Sequence, residues 1–262
     1  MTTNSWTVGR AVEALRTAES TRTARHPLTE DWPDLDLATA YQVQSDLVAA
    51  RVAAGEKIIG IKLGLTSRAK QQRMGVNVPL TGWLTDGMRL APGAPVPPGR
   101  LIHPRVEPEI VFTLGRRLAG PGVTPDSALA AVRSVSAGLE VIDSRYRDFR
   151  FTLPDVVADN ASSALFVVNE MAISPDTLDL ANEKCLLSVA DSPVHTATGA
   201  AVLGHPAQAL ALAANSLAER GLALEEDWIV LTGGLTDAVP LEPSRPITAD
   251  FTNLGKLTIL QG

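Results

Sequence analysis

Three glutamates are the residues of this chain whose type and spacing suit chemistry best. Glu107 and Glu109 lie two residues apart in an apolar, β-branched segment, and Glu140 lies in a second such segment. Side chains two apart on a strand point to the same face of a sheet, so Glu107 and Glu109 should project together. Three neighbouring carboxylates repel one another and are costly to desolvate unless a cation compensates them. All-oxygen ligation suits a hard divalent ion, so the pattern predicts a site for Mg²⁺ or Mn²⁺.

A lysine on another predicted strand could complete this site. Lys62 has Gly60 and Gly64 on its own face of the strand, and we expect the two missing side chains to leave open space around its ammonium. A divalent ion held by three carboxylates would act as a Lewis acid on a 2-oxo acid, and the ammonium would stabilise the enolate or transfer a proton. The alternatives are three solvated carboxylates and a lysine at a solvated sheet edge.

Basic and short polar side chains follow the Glu140 strand. Residues 143–150 include three arginines, and Arg145 and Arg150 are candidates to bind a substrate carboxylate because guanidinium groups suit bidentate contacts. Asp159, Ser162 and Ser163 stand just before the next predicted strand and could contact the substrate through their polar atoms. Each set of residues has an alternative interpretation. The arginines could form local Asp–Arg pairs on a surface loop, and Asp159, Ser162 and Ser163 could stabilise a turn or a helix cap.

The elements that must position these residues are helices first and strands afterwards. Helical spacing of apolar residues predicts two helices in the first ~55 residues, the second with Asp36 as its N-cap and Gly55 as its end. Short strands with few helices follow, and the polar segment 143–160 is expected to form an irregular loop over the sheet. The chain is therefore predicted to be α+β, with a helical subdomain at 1–56 and a β-rich, metal-binding catalytic domain at 57–262.

Bulk composition excludes several classes of protein. The chain has 262 residues, of which 45% are hydrophobic, so it can bury a sizeable core. A net charge of -6 without a basic stripe argues against nucleic acid as a partner. The single cysteine, Cys185, excludes an internal disulfide and is expected to be a small, half-buried apolar residue. The absence of a signal-peptide pattern and of an apolar run of ~20 residues predicts a cytoplasmic protein without membrane contact.

Several motifs, in this order along the chain, resemble the 2-oxo-acid hydratase/decarboxylase branch of the fumarylacetoacetate hydrolase superfamily. The resemblance extends from about Asp36 to the C-terminus, and its strength lies in the ordered set. The matching motifs are Gly60-Ile61-Lys62-Leu63-Gly64-Leu65-Thr66-Ser67, Met74-Gly75-Val76, Glu107-Pro108-Glu109, Leu139-Glu140-Val141-Ile142-Asp143-Ser144-Arg145, Ala158-Asp159-Asn160-Ala161-Ser162-Ser163, Ala200-Ala201-Val202-Leu203-Gly204-His205-Pro206 and Leu231-Thr232-Gly233-Gly234.

The resemblance implies a fold, an activity and a set of roles. The fold would be a mixed β-roll or sandwich, and the three glutamates would bind Mg²⁺ (or Mn²⁺), with Lys62 as the catalytic lysine. The serine pair would contribute to substrate binding, and the choice between them stays open with a preference for Ser162 in catalysis. The activity implied is metal-dependent decarboxylation of a small 2-oxo dicarboxylic acid, 2-oxo-3-hexenedioate, to 2-hydroxypenta-2,4-dienoate in meta-cleavage catabolism of aromatic compounds. The alternatives are a hydratase of that dienoate and a non-catalytic partner in a complex with such a hydratase. A homo-oligomer is also expected.

Overall fold

Helix caps and β-branched runs divide the chain into seven helices and twelve strands over the residues that the computed structural model describes, which are 6–262 except for the side chain of Arg73. The helices are α1 Val8–Thr21, α2 Leu28–Asp31, α3 Leu37–Ala53, α4 Arg68–Met74, α5 Pro125–Leu129, α6 Leu153–Ala158 and α7 Pro206–Glu219. The strands are β1 Ile58–Gly64, β2 Leu80–Thr85, β3 Arg89–Leu90, β4 Arg105–Leu114, β5 Val132–Ile142, β6 Ser163–Val168, β7 Lys184–Val189, β8 Ser192–Thr198, β9 Ile229–Leu231, β10 Val239–Pro240, β11 Ile247–Phe251 and β12 Gly255–Ile259.

The predicted N-cap of the second long helix is present where the sequence places it. Asp36 accepts a hydrogen bond from the Thr39 N–H and begins α3, because its carboxylate satisfies a backbone donor that the first helical turn leaves free. Ser67 caps α4 in the same way, and Gly75 ends that helix in the left-handed conformation. These local signals fix the two helices that flank β1 along the chain.

The strands form two sheets. The larger sheet has eight strands in the order β2-β1-β9-β4-β5-β6-β3, with β10 pairing with β4, and it mixes parallel and antiparallel neighbours. The smaller sheet is antiparallel in the order β12-β11-β7-β8. Three helices precede the strands, the larger sheet is mixed and the smaller one is antiparallel, which confirms the predicted α+β class.

Alternation along β4 gives the larger sheet two different faces. Val106, Ile110 and Phe112 point into the main hydrophobic core, which they share with apolar side chains of the smaller sheet and of α7. Val111 points the other way and packs with Phe166 in a smaller apolar cluster on the opposite face. Glu107 and Glu109 alternate in step with Val111, so the carboxylates project from the face opposite the main core.

The N-terminal helices pack on the body of the protein. Buried residues of α1 and α3, such as Leu15 and Leu47, belong to one hydrophobic cluster with Tyr146, Val157 and Ala161. The helical part predicted at 1–56 therefore buries its apolar face against residues of the predicted catalytic part at 57–262. Residues 1–5 of that prediction lie outside the described residues.

The segment after β5 is more regular than the sequence indicated. An irregular loop over 143–160 is wrong, because residues 153–158 form α6 and residues 147–149 a 3₁₀ turn. Pro154 lies in the first turn of α6, where proline is tolerated, and Asp155 accepts a hydrogen bond from the Thr152 N–H at 2.9 Å. This short helix supplies the surface on which α3 packs.

Among the described residues, no helix combines the length and the apolar character needed to cross a membrane. Cys185 is buried on β7 within the main core, which makes it more enclosed than the half-buried position expected. Burial raises the pKa of the Cys185 thiol to about 12, with a further contribution from the carboxylate of Asp250.

We predict that Cys185 is unreactive in the folded protein. With a pKa of about 12, the thiolate fraction at pH 8 is about one in ten thousand, and the sulfur is enclosed. Ellman's reagent at pH 8 should therefore leave the native protein unlabelled over the time in which the guanidinium-unfolded chain releases one equivalent. Cys185→Ser gives the background, and equal labelling rates for the native and unfolded chains would contradict the placement.

Candidate active site and metal centre

The register between β4 and β5 brings the three carboxylates together. Glu107 lies directly opposite Glu140 in the antiparallel ladder, and Glu109 lies two residues further along the same face, opposite Gly138. One carboxylate oxygen from each glutamate lies within 4.8 Å of the other two. The predicted meeting of Glu107, Glu109 and Glu140 is therefore present in the structure.

The cluster has only part of the compensation that buried carboxylates require. Glu109 and Glu140 are fully buried, whereas the Glu107 side chain is 12% exposed. Among the described residues, Oε1 of Glu109 and Oε1 of Glu140 have no hydrogen-bond partner. Burial raises the pKa of Glu140, and burial together with the charges of Glu140 and Glu107 raises the pKa of Glu109 well above its usual range. This environment favours a bound cation.

Two glycines bring the chain against the carboxylates. The Gly233 N–H donates to Oε2 of Glu109 at 2.7 Å. Gly233 has φ +112°, and a Cβ there would lie 2.0 Å from Oγ1 of Thr66. A Cβ on Gly234 would lie 2.7 Å from the carboxylate carbon of Glu107. The Gly233-Gly234 pair is therefore a close approach of the backbone to the glutamate cluster.

Lys62 reaches the same site from β1. Its Nζ lies 3.0 Å from Oε2 of Glu140 and donates to the Ala161 carbonyl oxygen at 3.0 Å. Burial opposes the charged form of this lysine, but the carboxylates of Glu140, Glu107 and Glu109 outweigh it and raise the pKa of Lys62. The structure therefore holds Lys62 as an ammonium beside Glu140.

Open space around Lys62 was the expectation, and it is wrong. Lys62 is only 4% exposed. The space beside Gly60 is filled by backbone, since a Cβ there would lie 1.9 Å from the Ile229 carbonyl oxygen, and the space beside Gly64 is filled by the Leu80 side chain. Glycines that flank a functional residue allow neighbouring chain to approach, and here they enclose the ammonium.

A second lysine, which the sequence did not single out, lies on the open side of the cluster. Nζ of Lys70 on α4 lies 3.6 Å from Oε1 of Glu107, and its side chain is 36% exposed. A lysine on a short helix cannot be told from a solvated one by spacing alone. The sequence indicates a role for Lys70 only through its position on α4, the helix that directly follows the Lys62 strand.

Arg145 and Asp159 contact each other in the protein interior. Both are buried, and Nε of Arg145 donates to Oδ1 of Asp159. Burial raises the pKa of Asp159 to about 6, against the opposing charge of Arg145. The Ser162 hydroxyl donates to Oδ2 of Asp159 at 3.3 Å, whereas the buried Oγ of Ser163 has no partner within the described part of the chain. The contacts thus favour Ser163 as the hydroxyl available to a substrate.

The remaining candidates lie elsewhere. Arg150 is exposed, and Arg147 donates to the Ala24 carbonyl oxygen at 3.2 Å on the N-terminal helical part. Nε2 of His103 donates to the Ser144 carbonyl oxygen at 2.8 Å, and its ring stacks on Phe149 with ring centroids 4.9 Å apart. The structure brings none of these three into contact with the glutamate cluster.

The residues present fit a divalent metal ion. Three carboxylates offer hard oxygen ligands, two of them carry buried oxygens without a hydrogen-bond partner in the described region, and Glu107 keeps one side accessible. Glu107, Glu109 and Glu140 would hold the ion, as the sequence predicted for Mg²⁺ or Mn²⁺.

Curated relatives cover almost the whole chain, although no family model matches it. A 4-oxalocrotonate decarboxylase of Pseudomonas sp is 42% identical over 251 residues, which is 96% of this chain and 96% of that protein. A 2-hydroxyhexa-2,4-dienoate hydratase of Comamonas testosteroni is 39% identical over 233 residues, which is 88% of this chain and 87% of that protein. Decarboxylases and hydratases are thus both among the relatives.

Solved structures share the fold. The 4-oxalocrotonate decarboxylase from Pseudomonas putida G7, complexed with magnesium and adipate, matches with a TM-score of 0.93 at 36% identity, covering 98% of this chain and 99% of that one. A fumarylacetoacetate hydrolase from Exiguobacterium antarcticum matches with a TM-score of 0.63 at 16% identity, covering 79% and 75%, and this likeness concerns the fold alone. The chain therefore belongs to the 2-oxo-acid hydratase/decarboxylase branch of the fumarylacetoacetate hydrolase superfamily, to which the 4-oxalocrotonate decarboxylases also belong.

Proposed function

We propose that this protein decarboxylates 2-oxo-3-hexenedioate to 2-hydroxypenta-2,4-dienoate with the help of Mg²⁺ or Mn²⁺. The observation that carries the proposal is the buried ammonium of Lys62 held against a three-carboxylate cluster, because this pairs an electrophilic group with a metal site. Support comes from the 4-oxalocrotonate decarboxylases, which align with nearly the whole chain. The Pseudomonas putida G7 enzyme was solved with magnesium and adipate, itself a six-carbon dicarboxylic acid.

The chemistry needs a sink for one electron pair. When the distal carboxylate leaves as CO2, the pair from the broken C–C bond moves through the C3–C4 double bond onto the keto oxygen, and one proton on that oxygen completes the dienol. A divalent ion bound by Glu107, Glu109 and Glu140 would supply Lewis-acid stabilisation of the developing negative charge. No enzyme nucleophile is required for this bond change.

Lys62 is placed to assist from the protein side. Its ammonium has three N–H donors, of which one goes to the Ala161 carbonyl oxygen, and Nζ forms an ion pair with Oε2 of Glu140 at 3.0 Å. A further donor remains for an oxygen of the substrate, where it would stabilise negative charge or deliver the proton. The enclosure of Lys62 strengthens this interaction, because little water competes with the substrate.

Lys70 suits the recognition of the distal carboxylate. It lies beside Glu107, the partly exposed ligand, on the side from which a substrate can enter. Substrate binding by Arg145 and Asp159 stays a prediction, and in the structure the two side chains form an ion pair with each other. Arg150 is exposed. Among the described side chains, Lys70 is thus the cation that pairs with Glu107 on the accessible side of the cluster.

The alternative activity is hydration of 2-hydroxypenta-2,4-dienoate on the same carboxylate platform. The similarity to hydratases favours it, although the decarboxylases that are 42% identical cover 96% and 87% of this chain and the hydratase that is 42% identical covers 75%. A homo-oligomer and a complex with a hydratase remain predictions, and size-exclusion chromatography with light scattering would test both.

One experiment separates these activities. The purified protein is incubated with Mg²⁺ and 2-oxo-3-hexenedioate, and CO2 release and the dienol absorbance are followed together. We expect one CO2 per dienol formed. Absence of CO2 combined with turnover of 2-hydroxypenta-2,4-dienoate would identify a hydratase, and turnover of neither compound would favour a non-catalytic partner.

We predict that Glu107→Gln weakens the metal site. Loss of one anionic ligand should lower Mn²⁺ affinity by at least about 100-fold, since even the outer partners of metal ligands contribute 10–100-fold. Electron paramagnetic resonance of free Mn²⁺ measures this without reference to activity. Glu183→Gln is the control, because Glu183 is a glutamate that accepts hydrogen bonds from Asn253 and does not belong to the carboxylate cluster. Unchanged Mn²⁺ affinity in Glu107→Gln would refute the ligand assignment.

We predict that Lys70→Met impairs substrate binding more than turnover. A hydrogen bond to a charged group contributes ~1.5–3 kcal/mol, so KM for the dicarboxylic substrate should rise about 10- to 100-fold with a smaller change in kcat. Arg68→Met, an exposed cation on the same helix, is the control and should leave KM unchanged. Equal effects of the two substitutions would contradict a specific role for Lys70.

A further inference from the structure

Three consecutive residues before β6 adopt a backbone conformation that side chains disfavour. Asn160, Ala161 and Ser162 have φ of 48°, 55° and 57°, in the left-handed region, and none is glycine. Such residues persist where their surroundings determine the conformation, and they concentrate at functional sites. The surroundings of segment 160–162 must therefore stabilise its left-handed backbone conformation.

The buried Arg145–Asp159 ion pair stabilises this conformation. Arg145 donates through Nη1 to the carbonyl oxygens of Asp143 at 2.8 Å and Ser163 at 3.3 Å, and through Nη2 to the carbonyl oxygen of Asp159. The Asp159 carboxylate accepts from the Ser162 hydroxyl at 3.3 Å and from the Arg145 N–H at 3.2 Å. The two side chains thus bind the chain immediately before and immediately after the strained segment.

The strained segment in turn determines the position of Lys62. Its central carbonyl, that of Ala161, accepts the hydrogen bond from Nζ of Lys62 at 3.0 Å. Asn160 exchanges two hydrogen bonds with the Trp83 backbone, at 2.7 and 2.9 Å, which fixes the segment on β2. Gly82, opposite Lys62 in the ladder, permits this approach, since a Cβ there would lie 2.7 Å from the Asn160 carbonyl oxygen and 3.1 Å from Cγ of Lys62.

We propose that the Arg145–Asp159 pair is a positioning pair for Lys62, which holds segment 160–162 so that the Ala161 carbonyl aims the ammonium at Glu140 and the substrate. The proposal rests on the proposed function only in taking Lys62 as a reacting group. It assigns to Arg145 and Asp159 a role different from the substrate contact expected from the sequence.

Stability alone is a weak explanation for this pair. Buried ion pairs gain little over well-packed apolar residues, because the desolvation of both charges offsets their attraction. Here the donors of Arg145 go mostly to backbone carbonyls around one strained turn, which is a geometry suited to fixing a backbone path. The Arg145–Asp159 pair therefore fixes the backbone conformation of segment 160–162.

The test compares two buried aspartates that lie four residues apart. Asp159→Asn keeps the shape but removes the charge that pairs with Arg145. Asp155→Asn is the matched control, because Asp155 is equally buried, caps α6 and binds Thr29, but has no contact with segment 160–162. Melting temperature and circular dichroism report whether each variant folds.

Two readouts separate positioning from structural support and from substrate binding. In protein labelled with ¹⁵N-lysine, the Nζ resonance of Lys62, assigned by its loss in Lys62→Met, should shift and exchange faster in Asp159→Asn but not in Asp155→Asn. With substrate and Mg²⁺, kcat should fall by about 100-fold in Asp159→Asn with KM within a few-fold, since small misplacement of a reacting group has effects of this size. Asp155→Asn should keep the wild-type kcat.

The outcomes decide the proposal. An unchanged Lys62 resonance in a folded Asp159→Asn protein overturns the proposal, as does an equal loss of kcat in both aspartate variants. A rise in KM without loss of kcat also overturns it, because that result would indicate substrate contact instead. If Asp159→Asn does not fold, Arg145→Lys, which keeps the positive charge and loses the branched contacts, is measured in the same way with the same criteria. The resonance is read without turnover, so a failure of the proposed reaction does not affect it.

Discussion

Burial of like charges is the constraint on which the rest of the structure depends. Glu109 and Glu140 are fully enclosed beside Glu107, and carboxylates in such a place repel one another and lose their hydration. The fold supplies partial compensation through the Lys62 ammonium and the Gly233 N–H, and it leaves oxygens of Glu109 and Glu140 without partners within the described residues. The remaining deficit of positive charge defines what the site binds.

The glycines around the site follow from the same constraint. Compensating groups are effective only at hydrogen-bonding distance, so backbone must come close to the carboxylates and to the lysine. Gly233 and Gly234 permit this at the carboxylates, and Gly60 and Gly82 permit it around Lys62. A side chain at any of these positions would clash with the neighbouring residues that pack there.

Local signals in the sequence predicted much of the fold and part of the site, and tertiary contacts determined the rest. The two-residue spacing of Glu107 and Glu109 on an apolar strand was sufficient to predict their shared face, and Asp36 was sufficient to predict the start of α3. The loop expected at 143–160 is wrong because the polar segment contains a helix start, in which Thr152 and Asp155 form a capping box and Pro154 lies in the first turn. The enclosure of Lys62 and the pairing of Arg145 with Asp159 depend on chain segments distant in sequence, which no local pattern reveals.

The alternation of faces along β4 has a consequence for how the chain reaches its native pairing. A slip of one residue between β4 and β5 would turn Glu107 and Glu109 into the main core and expose Val106 and Ile110 on the carboxylate face. Such a misaligned hairpin would bury charges among hydrocarbon, far from Lys62, so competing alignments lie well above the native one in free energy. The glutamates of the cluster thus also discriminate against misfolded registers before any ion or substrate is bound.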